Sequence, residues 1–84
     1  MDTAGYEVLA QAHQQKLQAI ADLERSAERF WFRANSMLNG ITEDMIMNDM
    51  RQTMCRSNIA RACFEGAAYA KREAAALRAS LSTE

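Results

Sequence analysis

Residues 37–45, MLNGITEDM, interrupt an otherwise unbroken run of helix-forming sequence. Asn39-Gly40 is a helix-ending pair, because both residues tolerate the left-handed conformation at a C-terminal cap. Thr42 then suits the N-cap of a following helix, with Glu43 and Asp44 placing negative charge in its first turn. Ile41 and Ile46 occupy the two positions of a hydrophobic staple. One break near the middle of an 84-residue chain divides it into two arms, a helix over about 4–38 and a helix over about 43–80, joined by a loop at 39–42. At 1.5 Å per residue the arms are roughly 50 and 57 Å long. Similar lengths and a short loop predict an all-α, antiparallel two-helix hairpin as a single domain over residues 1–84.

Composition agrees. The chain has no proline and three glycines, and it is dominated by residues that favour helices. No run of alternating β-branched residues signals a strand. A chain this short buries a modest share of its surface, and such chains often gain stability by oligomerising.

The first arm carries a stripe of period seven: Tyr6, His13, Ile20, Ala27 and Ala34, with Leu9, Leu23, Phe30 and Met37 three residues later. In "ERFWFRAN", residues 28–35, three rings follow one another, and successive helical residues point about 100° apart. Phe30 and Trp31 straddle the stripe. Phe32 falls on the far side of the helix and is expected to stay exposed.

The second arm has two apolar faces. Ile46, Met47, Met50 and Met54 form one, and Ile59, Cys63, Ala67, Ala70, Ala74, Leu77 and Leu81 form another, rotated by well over 90° from the first. Either the helix breaks near residues 56–58, with Ser57 or Asn58 as a cap, or it continues and is buried on two sides. The continuous helix is preferred, since no glycine or proline marks a break there. Folding at residue 40 would set Met50 opposite Trp31 and bury Met50 and Met54. Leu9 and Ile20 would then face the alanine-rich stretch 60–76. Two helices cannot cover a second apolar face, so the expectation is a homodimer, a four-helix bundle with Ile59, Cys63, Ala70 and Leu77 at its interface.

The formal net charge is −1, which exerts no global pull toward nucleic acid or anionic membrane. It divides unevenly, at −4 over residues 1–50 and +3 over residues 51–84, and antiparallel arms of opposite sign attract weakly. No apolar run approaches the ~20 residues a membrane span needs, and no secretory leader is visible, so no membrane association and a cytoplasmic location are expected. Cys55 and Cys63 lie about 12 Å apart on one helix, too far for a mutual disulfide.

Catalysis finds no support. His13 is the sole histidine, and no nucleophile with an orienting group lies within a turn of it. One histidine and two cysteines do not supply four zinc ligands, and no phosphate-cradling glycine loop is present. The chain is read as non-enzymatic, with no metal and no cofactor.

A macromolecular partner remains. Glu28, Arg29, Phe32 and Arg33 form the expected partner-facing surface for an unidentified protein. A small, motif-free helical chain of this kind is similar to the phage and mobile-element accessory proteins that inhibit or redirect host machinery. The alternative is a dimeric hairpin that binds RNA or DNA through Arg25, Arg29 and Arg33 beside Phe32. That layout resembles the helical-hairpin regulators of plasmid copy number, which dimerise and bind paired RNA loops. The resemblance is one of layout without a shared motif, and it assigns no residue. Glu24 and Glu28, interleaved with the arginines, oppose phosphate binding.

Overall fold

The computed structural model describes residues 3–82; the outer limits of the expected 1–84 domain lie outside them. Three helices follow in order: α1 (Thr3–Asn39), α2 (Glu43–Asn48) and α3 (Met50–Ser82). The described residues contain no strand. Helices α1 and α3 lie antiparallel along one another, and α2 rests only on α3. The result is a rod measuring 73 × 16 × 14 Å.

The connection follows the sequence in part. Thr42 is the N-cap of α2, and its hydroxyl accepts from the Met45 backbone N–H at 3.2 Å. The end of α1 differs from expectation, because no described residue has positive φ. The helix closes instead by tightening, with the Ile41 N–H donating to the Leu38 carbonyl at 3.1 Å. Gly40 leaves room there for the guanidinium of Arg56, which would have to shift to admit a β carbon. Arg56 reaches across to donate to the Met37 carbonyl at 3.5 Å, one of the carbonyls that a helix end leaves without an internal partner.

The break in the second arm is at Asp49, with φ −139° and ψ 70°. Helix α3 runs unbroken through 56–58, so neither the single helix over 43–80 nor the break at 56–58 is found. Asp49 closes α2 by donating its N–H to the Met45 carbonyl at 2.8 Å. It also opens α3, its carboxylate accepting from the Gln52 N–H at 3.1 Å. This is the N-cap geometry that favours aspartate.

Alanine makes the seam. Ile20, Ala27 and Ala34 of α1 are buried, as are Ala60, Cys63, Ala67, Ala70 and Ala74 of α3. The spacing of seven on both helices is that of antiparallel helices packed side by side. Small side chains let the helix axes approach closely. Larger residues close the flanks. Trp31 meets Phe64 edge to face with ring centroids 4.9 Å apart, and Phe30 lies against Gly66. Opposite charges of the two halves meet across the seam where Arg78 pairs with Glu24.

This register corrects the expected one. Trp31 sits opposite Phe64, not Met50, and Ala34 meets Ala60 and Cys63. The chain reverses through α2 rather than at residue 40. Since α1 ends at Asn39, beside Arg56, the first turns of α3 extend past it. Met50 and Met54, expected inside, are 55% and 56% exposed for that reason. Leu9 does not reach the alanine-rich stretch and is exposed with Tyr6 and Val8.

The expected dimer interface is also reassigned. Cys63 and Ala70 are buried against α1 within one chain, and Ile59 packs against the Ala34–Ala60–Cys63 cluster. Leu77, on the same stripe, is half-buried. These residues belong to the seam, because the second apolar face of the arm is the one turned to α1.

Candidate functional site

Phe30, Trp31 and Phe32 are 40%, 53% and 74% exposed. Their order follows the helix wheel. With Ala27 and Ala34 at the seam, Phe30 and Trp31 stand about 50° to either side, and Phe32 about 150° away. The outward half of α1 therefore carries Phe32 with the charged residues around it.

Phe32 stands between two grooves. The larger, about 640 Å³ and open to solvent, is lined by Glu24, Ala27, Glu28, Trp31, Phe32, Asn35 and Lys71. The other is lined by Arg25, Glu28, Arg29 and Phe32. Arg29 and Arg33 border a further depression with Ser26 and Phe30. The four residues expected at a partner surface thus lie together over one outward turn of α1: Glu28 and Phe32 toward the large groove, Arg29 and Arg33 toward the other side.

Lys71 was not foreseen. It comes from α3 and places its Nζ 5.6 Å from the Trp31 ring centroid, a cation–π contact. Only the register of α3 against α1 brings it there, so no local pattern in the first arm could reveal it. Asn35, which the helix wheel already places beside Phe32, is tied back to its own helix: its amide donates to the Trp31 carbonyl at 2.9 Å.

Charges on this face fall into two sets. Arg25 is held by Asp22, which also accepts from Gln18 at 3.1 Å. The Arg25 hydrogen bond, followed by that from Gln18, holds the Asp22 carboxyl below its ordinary value. Glu24 is occupied by Arg78. Among the described residues Glu28, Arg29 and Arg33 have no ion-pair partner, so their charges are available to another molecule. With Arg25 engaged and Glu28 lying among the arginines, the basic stripe needed for nucleic acid is weakened.

No described group of three or more His, Cys, Asp or Glu side chains could hold a metal ion. His13 is exposed on α1, Cys55 is exposed on α3 and Cys63 is buried. These three side chains do not converge. No described helix is long and apolar enough to cross a membrane. No protein-family model, curated protein or solved structure matches the chain.

Proposed function

We propose that the chain is a non-catalytic protein-binding module that presents Phe32, ringed by Glu28, Arg29 and Arg33, to a protein partner. One observation carries this reading: a large aromatic side chain, 74% exposed, stands between grooves on the side of α1 that the hairpin does not use. Isolated exposed apolar residues are common, but Trp31 shares the larger groove with Phe32, and paired aromatics flanked by uncommitted charges suit an interface core with a polar rim. Aromatic and arginine side chains are also those that most often dominate binding energy.

Pairing of two hairpins into a four-helix bundle is part of the same reading. Because Ile59, Cys63, Ala70 and Leu77 are engaged within the chain, that pairing would use outer faces, where Phe30 and Tyr69 stand exposed. Light scattering on the purified chain tests it: a dimer mass supports pairing, and a monomer mass at every concentration removes it.

Affinity capture from a lysate of the source cells tests the partner surface, comparing the native chain with Phe32→Ala. A protein retained by the native chain and lost from the variant, at unchanged melting temperature, supports the reading. Equal retention by both overturns it. Retention of nucleic acid at low salt, falling steeply as salt rises, would favour the RNA- or DNA-binding alternative instead.

A further inference from the structure

Phe30 and Gly66 mark one lateral face of the hairpin, since the ring lies against that glycine. On α1 this face carries Leu23, Phe30 and Met37, a row with the seven-residue spacing of the seam. On α3 it carries Ile59, Ala62 and Tyr69, all within about 60° of Gly66 on the helix wheel. Leu23, Met37 and Ile59 are half-buried, while Phe30, Ala62 and Tyr69 are exposed. Together they form an apolar strip, which Glu73, seven residues on from Gly66, closes at one end.

Charges of opposite sign line the two edges. Arg29 and Arg33 stand along the α1 edge, where with Ser26 and Phe30 they border a depression of about 250 Å³. Glu65 and Glu73 stand along the α3 edge. None of these four has an ion-pair partner among the described residues. Asp22 and Arg25 lie further along the α1 edge and pair with each other. Arg72 is level with that pair, about 120° round α3 from Gly66. Arg51 shares the α3 side but lies beyond the end of α1.

A face with bases on one helix, acids on the other and an apolar strip between them is complementary to itself. A half-turn about the long axis of the rod lays α1 of a second copy on α3 of the first, at the same level. Phe30 is level with Gly66 and the helices are antiparallel, so Glu65 is level with position 31. Glu65 of the second copy therefore falls between Arg29 and Arg33. In the same layer Phe30 of each copy faces Gly66 of the other, large against small, as interdigitating layers require. A half-turn about an axis across the rod would instead set the arginines of one copy against those of the other, which is repulsive.

We infer that a second copy of this chain covers the Phe30–Gly66 face, related by a twofold axis along the rod, with Arg29 and Arg33 of each copy beside Glu65 of the other. This rests on the pairing proposed above and names its face and its axis. Phe32 points about 160° away from Phe30 and stays open to a further protein.

Sedimentation equilibrium of the full chain and its variants is the test. The native chain should be a dimer. Ala62 is exposed and level with position 34 of α1, so Ala62→Arg sets a second guanidinium against Arg33 and should weaken dimerisation about tenfold. Glu65→Arg should weaken it by a similar factor, and adding Arg29→Glu with Arg33→Glu should restore it to within about threefold. Phe32→Ala should leave it unchanged. A dimer that Ala62→Arg and Glu65→Arg leave intact uses another face, and overturns this inference while the pairing itself stands. A dimer that Arg29→Glu with Arg33→Glu strengthens has its axis across the rod, with the same consequence. A monomer at every concentration overturns both readings and leaves the strip to a different molecule.

Discussion

Phe30 of α1 rests its ring against the backbone of Gly66 in α3, so closely that a β carbon on Gly66 would lie 3.2 Å from a ring carbon. Glycine inside a helix costs about 1 kcal/mol relative to alanine. Close approach of the two helices is the compensating gain. Phe30 is exposed on its outer side and can tilt by a few tenths of an ångström. Gly66→Ala should therefore raise stability slightly, by up to about 1 kcal/mol in a urea titration. A loss of stability would show that the ring is fixed in place. In that case Phe30→Ala should restore the lost stability in the double variant.

Ala34 is fully buried where α1 meets Ala60 and Cys63. Ala34→Leu adds volume inside the packed seam and should destabilise the hairpin by about 1–3 kcal/mol. Equilibrium denaturation at several protein concentrations measures this. Unchanged stability would mean that the seam is looser than its alanines imply.

Asp49 both ends α2 and begins α3, and its carboxylate satisfies the Gln52 N–H. Asp49→Ala should cost about 1 kcal/mol, with the loss concentrated at the closed end of the rod. Hydrogen exchange should show faster amide exchange over the first turn of α3 and little change near Ala67. Uniform acceleration along both helices would point to a wider role for this residue.

The two cysteines differ in exposure, Cys55 lying open and Cys63 in the seam. A thiol-reactive dye should modify Cys55 at the rate of an accessible thiol and Cys63 only as the hairpin opens. Urea should bring the two rates together at the unfolding midpoint. Rapid modification of both in native buffer would contradict the seam described here.

Several features were legible from local chemistry. Thr42 and the acids after it mark a helix start wherever they occur. Phe32 is displaced from a stripe defined by Ala27 and Ala34 whatever lies across from it. The cap at Asp49 has a local signal too, since aspartate followed three residues later by Gln52 resembles a capping box, although no glycine or proline accompanies it. Gly40 illustrates the opposite case. Its place at the helix end is evident from the sequence, but the guanidinium that lies against it, that of Arg56, comes from sixteen positions away.

Periodicity by itself determined that this chain forms helices, which stripe of α1 is apolar, and which ring is left outside, because those properties depend on residues within a few turns of one another. Only the tertiary structure decided the register. Sliding one helix along the other changes no local interaction, yet it sets which side chains meet. That register gives Trp31 to Phe64 and Lys71, hides Cys63 and Ala70 against α1, and carries Met50 and Met54 past the end of α1 into solvent.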